Sequence, residues 1–137
     1  MDEPSLVLLV EDDPSDERLA LRALARCGVP CSVHVARDGV EAIEYLESPE
    51  TAVPKLVLLD LKLPKANGFE VLKKIRENAR VSRIAVVCFS SSAESADVCD
   101  CFGLGANSFV RKPIDYHEYM ECIARLTEYW LLINKGC

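Results

Sequence analysis

No apolar run in the 137-residue chain approaches the ~18 residues that a membrane-spanning helix requires. No hydrophobic secretory segment is visible either. The cysteines (27, 31, 88, 99, 101, 122 and 137) are odd in number, and most lie inside apolar runs. A disulfide framework is therefore not expected; buried thiols in a reducing cytosol are. A chain of this size removes roughly two-thirds of its unfolded surface from water, so it needs no disulfide or structural metal to hold a core. Basic residues are the minority, 16 against 22 acidic ones, for a net charge of −6. Without a basic stripe to neutralise phosphates, nucleic-acid binding is not expected. There is also no internal repeat, low-complexity tract or linker. One domain over 1–137 is the expectation, with a core to about residue 128 and an apolar extension over 129–137.

What the sequence does have is alternation. Apolar runs at Leu6 to Val10, Cys31 to Ala36, Leu56 to Leu59, Ile84 to Phe89 and Ser108 to Val110 read as strands, most of them covered on both faces. Between them, apolar residues recur near every 3.6 positions: Leu19, Leu21, Ala23, Leu24 and Cys27; Val40, Ile43 and Leu46; Phe69, Leu72 and Ile75; a stretch from Ala93 to Phe102; and Tyr119, Ile123, Leu126 and Trp130. Strict strand–helix alternation predicts an α/β fold with a parallel sheet and helices on both faces. The capping signals are independent of that period and agree with it. Asp13 precedes Pro14, Asp38 is answered by Glu41 and Asp115 by Glu118, and Gly28 follows the first helix.

Ligands of such sheets bind beyond the carboxyl ends of the strands. The polar residues found there are Glu11, Asp12 and Asp13 after the first run and Asp60 after the third. Ser90, Ser91 and Ser92 follow the fourth, and Arg111 and Lys112 the fifth. Carboxylates converging on one end repel by about 4 kcal/mol per pair at ~4 Å and an effective dielectric of ~20, so they call for a cation. An all-oxygen set suits Mg2+ better than zinc, and Mg2+ keeps positions open for phosphate oxygens. Metal plus lysine points to a phosphoryl group. Asp13 also reads as a helix cap, whereas Glu11 and Asp12 have no capping role.

These residues carry a resemblance. Leu8-Leu9-Val10-Glu11-Asp12, then Leu58-Leu59-Asp60-Leu61-Lys62-Leu63-Pro64 with Gly68, then Val87-Cys88-Phe89-Ser90, and Gly105-Ala106 with Phe109-Val110-Arg111-Lys112-Pro113 resemble the receiver domain of two-component response regulators over nearly the whole chain. The resemblance implies a flavodoxin-like strand order 2-1-3-4-5. It implies that Asp60 is a phosphoacceptor attacking a phosphohistidine on a sensor histidine kinase. Mg2+ would be held by Glu11, Asp12, Asp60 and the backbone carbonyl of Lys62, with Asp13 a further candidate. Lys112 would pair with the phosphoryl oxygens, and its bond to Pro113 would be cis. Ser90 would be the switch hydroxyl and Phe109 the switch aromatic. Ser92 would influence the lifetime of the phosphoryl group.

With no further sequence beyond Cys137, output is expected from the domain's own surface. Tyr129-Trp130-Leu131-Leu132-Ile133 is apolar all round, so it either packs back on the domain or forms a homodimer or partner contact, and the resemblance implies that the face from the fourth to the fifth helix is the output surface it would join. A small receiver ending in a Tyr-Trp segment also resembles partners of phytochrome-type light-sensing kinases. Two other readings compete with a cytoplasmic phosphorylation switch: a degenerate receiver that only binds, and an aspartyl-phosphate phosphatase of the haloacid-dehalogenase type. The phosphatase requires a second aspartate two positions after the nucleophile, where this chain has Lys62. Cys99 and Cys101 point apart on a helix, Cys88 belongs to the core, and Cys137 is the candidate reactive thiol. His34 reads as a strand side chain and His117 as part of the last helix's first turn.

Overall fold

The computed structural model describes residues 4–63, 65–92 and 94–135. Cys137 and the Pro64 of the resemblance lie outside them. Ten regular elements alternate: β1 (Ser5–Val10), α1 (Pro14–Arg26), β2 (Cys31–Ala36), α2 (Gly39–Glu47), β3 (Leu56–Leu59), α3 (Gly68–Glu77), β4 (Ala85–Ser90), α4 (Ser95–Gly103), β5 (Ser108–Arg111) and α5 (Tyr116–Thr127), with a π-helical segment at Glu128–Ile133 after them. The strands form one parallel sheet in the order β2-β1-β3-β4-β5, as expected.

The alternation of side chains along the central strands builds two cores. Val7, Leu9, Leu56, Leu58, Val87 and Phe89 face α1 and α5, meeting Ala20, Leu24, Tyr119 and Ile123. Their neighbours Leu8, Val10, Val57, Leu59, Val86 and Cys88 face α2, α3 and α4, meeting Leu46, Leu72, Ile75 and Cys101. Burying each such leucine or valine contributes about 1.5–3 kcal/mol, and β3 and β4 are buried at every position. The edge strands depart from the expectation of two covered faces. β2 alternates between buried or half-buried and exposed residues, and β5 is half-exposed, because each has a neighbour on one side only. On β2 the exposed His34 stacks on Tyr45, with ring centroids 4.1 Å apart.

The caps form as expected. The Asp13 carboxylate accepts from the backbone N–H groups of Ser15 and Asp16, that of Asp38 from Glu41, and that of Asp115 from Glu118. Gly28 takes the left-handed conformation, with φ of 84°. Cys88 and Cys101 are fully buried while Cys99 is exposed, so the two α4 cysteines do point apart. The Lys112–Pro113 bond departs from the resemblance, being trans; the trans preference of a prolyl bond is only about 0.5–1 kcal/mol, so local context decides the isomer.

The terminal segment packs back on the domain in part. Leu131 is buried and Trp130 half-buried against the α1–α5 core, while Tyr129, Leu132 and Ile133 stay exposed. The wider π-helical turn divides the five residues between core and solvent, and the Lys55 ammonium donates to the Leu131 carbonyl at 2.7 Å.

The loop from β3 to α3 closes so tightly that a Cβ on Gly68 would lie 2.5 Å from Leu61 Cα and 2.7 Å from the Asp60 carbonyl oxygen. Gly68→Ala is expected to lower stability to urea by about 1–3 kcal/mol. Gly103→Ala, where a Cβ meets nothing within 4 Å, should change it little. Equal stability of the two variants would contradict this packing.

Candidate functional site

Register assembles the acidic cluster. Val10 pairs with Leu59 across the sheet, so Glu11 and Asp60, each the next residue, emerge side by side. Their backbones continue the ladder, with Asp60 N–H donating to the Val10 carbonyl at 3.1 Å and Glu11 N–H to the Ala36 carbonyl at 3.0 Å. Lys112 leaves β5 with its N–H on the Ser90 carbonyl at 2.8 Å. Its side chain then crosses the end of the sheet above Phe89, the ammonium 5.8 Å from the ring centroid.

The ammonium is the hub. It donates to Glu11 Oε1 at 2.5 Å, Asp60 Oδ2 at 3.2 Å and Asp16 Oδ2 at 3.5 Å, which uses all three of its N–H bonds. Its side chain is 8% exposed and that of Glu11 4%, so the pair is held largely out of water. The Asp60 carboxylate is oriented from its other side by the Lys62 N–H, which donates to Oδ1 at 3.0 Å. Glu11 Oε2 accepts from the Asp13 N–H at 3.2 Å.

Glu11, Asp12 and Asp60 each offer a carboxylate oxygen, and these lie within 4.8 Å of one another. With Asp16, three carboxylates contact the one ammonium, and Asp12 adds a fourth acid to the cluster. A hard, all-oxygen donor set with surplus negative charge is what a small divalent cation requires, so the cluster can hold a metal. Burial pushes the Glu11 carboxyl up to about 7, with the Asp60 charge adding to the rise and Lys112 opposing it. Burial alone would lower the Lys112 ammonium; its bond to Glu11 and the charges of Asp60, Glu11 and Asp16 outweigh that and hold it above its ordinary value.

The structure thus brings together Glu11, Asp12, Asp60 and Lys112. Asp13 is drawn away, its carboxylate committed to the α1 cap. Ser90 is buried at the end of β4 and its Oγ accepts from the Ser92 N–H at 3.4 Å; no hydrogen bond links it to the carboxylates. Phe109 is half-buried against the α2–α4 core, opposite Cys88 in register. Sequence reasoning missed Asp16. It reads as an acidic residue in the first turn of α1, favourable to the helix dipole, and only the approach of Lys112 from β5 gives it a second partner.

Three carboxylates and a lysine at the carboxyl end of a 2-1-3-4-5 sheet match a sequence family: the model of the response regulator receiver domain fits residues 7–124. The chain belongs to that family. It is 34% identical over 138 residues to the probable methanogenesis regulatory protein FilR2 of Methanothrix harundinacea, covering 98% of this chain and 89% of that one. The phosphorylated cyanobacterial phytochrome response regulator RcpA superposes with a TM-score of 0.90 at 35% identity, over 97% of this chain and 98% of its own. The Mn2+-bound form of response regulator Rcp1 gives 0.88 at 31% identity, over 98% and 99%. The acidic cluster of this receiver domain fits a phosphoacceptor site, and the family is a signalling one.

The raised Glu11 carboxyl fixes the sign of a pH dependence. The folded chain holds a proton that the unfolded chain loses near 4.5, so the associated stability is full below 4.5 and is lost as pH rises through about 7. Urea unfolding without divalent cations is expected to show a fall of about 1–3 kcal/mol by pH 8, absent in Glu11→Gln and suppressed by Mg2+ or Mn2+. The same fall in Glu11→Gln would contradict the assignment.

Proposed function

We propose that the chain is a phosphorylation switch in which Asp60 receives a phosphoryl group from a sensor histidine kinase. The observation that carries this reading is the Asp60 carboxylate held at the sheet's end between the Lys62 N–H and the Lys112 ammonium, beside Glu11 and Asp12. In the transfer, an Asp60 oxygen forms the new bond to phosphorus as the bond from phosphorus to the kinase imidazole breaks. Mg2+ is the cation proposed for the Glu11, Asp12 and Asp60 carboxylates and the Lys62 carbonyl, and when bound it neutralises charge on the phosphoryl oxygens. Mn2+ in the Rcp1 relative and the all-oxygen donors support it. Lys112, already on Asp60 Oδ2, turns one N–H from a carboxylate to a phosphoryl oxygen.

The switch lies in β4 and in α4 beyond it. The phosphoryl group attracts the Ser90 hydroxyl away from its weak 3.4 Å bond with Ser92, and Phe109 takes up the space beside β4. α4 can move with them at low cost, since its N-terminus has no side-chain cap and Cys101 is its buried residue. Ser92, whose N–H donates to Ser90 Oγ, is the residue proposed to influence how long the phosphoryl group survives. Glu11, Asp12, Asp60 and Lys112 form one connected cluster, which speaks against a degenerate binding module. Lys62, in place of a second aspartate, speaks against phosphatase turnover.

The signal leaves by protein contacts. The domain over 1–137 pairs with a second copy through the α4–α5 face together with exposed Tyr129, Leu132 and Ile133. The cognate kinase is of the phytochrome type, a reading supported by the likeness to the phytochrome response regulator RcpA. A cytoplasmic location accords with that partnership; among the described residues no helix is long and apolar enough to cross a membrane.

Radiolabelled acetyl phosphate with Mg2+ is expected to label one site, and Asp60→Asn to lose the label; a label that persists in Asp60→Asn would overturn the assignment. Light scattering is expected to give a dimer that Leu132→Asp converts to monomer. A monomeric wild type, phosphorylated or not, would overturn the dimer.

A further inference from the structure

At the amino end of the sheet, opposite Asp60, a cleft of about 690 Å3 opens between the chain entering β3, the α3–β4 connection, Asn107 and the terminal segment. Its volume is that of a small-molecule site. Lys55, Arg80, Arg83 and Lys135 line it, and none of its described lining residues is acidic, although the chain carries a net charge of −6. Arg76 lies behind the wall, donating to the Ile84 carbonyl and to Asn107 Oδ1, both at 2.8 Å.

The positive charge here is not neutralised. Among the described residues, no ion pair involves any of these five side chains. Arg80 donates to the carbonyls of Leu46 and Thr51, Arg76 also to those of Gly105 and Ser82, and Lys55 to that of Leu131. Carbonyl acceptors satisfy the hydrogen bonds but bring no net negative charge. Cations gathered in a concave, partly apolar wall raise the local concentration of anions.

The rest of the lining selects among anions. Val53, Pro54, Ile84 and Ala85 are apolar, and the half-buried indole of Trp130 joins them in the lining. Asn107 Oδ1 accepts from Arg76 and from the Val86 N–H, which leaves the amide nitrogen of Asn107 to donate. A bare phosphate would leave the apolar wall unused; a planar ring carrying phosphates uses both halves. We infer that this cleft binds a nucleoside phosphate, with the base against Trp130 and the phosphates among Lys55, Arg83 and Lys135. Since Trp130, Asn134 and Lys135 belong to the terminal segment, an occupant ties that segment to the sheet.

Trp130 is the chain's single tryptophan, so its fluorescence reports directly. Adenosine and guanosine diphosphates, added to the full chain in EDTA to disable the carboxylate site, are expected to quench it saturably. Asp60→Asn should bind equally well. Arg83→Ala, at an exposed residue, should weaken binding at least about tenfold, the loss of one charge-assisted bond. The inference is overturned if no nucleotide quenches saturably, if Arg83→Ala binds like wild type, or if inorganic pyrophosphate binds as tightly as the nucleotides. Tighter binding of a single-stranded oligonucleotide than of mononucleotides would also overturn it, in favour of a nucleic-acid surface.

Discussion

One buried ammonium organises this molecule. Lys112 gathers Glu11, Asp16 and Asp60 from three separate elements, and without it their carboxylates would be left close together with no counter-charge. Removing one partner of such a buried set typically costs about 3–5 kcal/mol, because the remaining charges stay buried without compensation. The same arrangement makes the site responsive. Glu11 is pushed up to about 7 by burial, so a metal ion or a phosphoryl group entering here changes a charge balance that is already close to turning.

The fold serves this interaction through register. Parallel pairing of β1 with β3 and of β3 with β4 brings the strand ends level, so residues far apart in sequence reach one edge. The tight β3–α3 loop at Gly68 and the Asp13 cap fix the two turns that carry the acids. The other side of the site is held less firmly. Among the described residues, the Ser90 hydroxyl has only a 3.4 Å bond from the Ser92 N–H, and α4, the next helix, lacks a side-chain cap. A rigid acidic side against a lightly held β4–α4 side is the arrangement in which a local bond can shift a distant surface.

The parallel sheet and most of the acidic cluster were legible because apolar runs mark where strands end, and Glu11, Asp12, Asp60, Ser90 and Lys112 each stand within two positions of such an end, whereas the strand order came from the resemblance alone. What escaped had no local signal. Asp16 looks like any first-turn acid until Lys112 arrives from nearly a hundred positions away. The basic cleft is assembled from stretches around Lys55, Arg80 and Lys135, so the net charge concealed it and the chain appeared to have no basic patch. The terminal segment read as uniformly apolar because helical period alone cannot show a π-helical turn that buries Leu131 and exposes Leu132.

The nitrogen resonance of the Lys112 ammonium, monitored by NMR before and after phosphorylation, tests the central claim most directly. A resonance that moves on phosphorylation, as an N–H passes from a carboxylate to a phosphoryl oxygen, and that stays fixed in Asp60→Asn is the expected result. A Lys112 resonance unchanged while Asp60 carries phosphate would contradict the account.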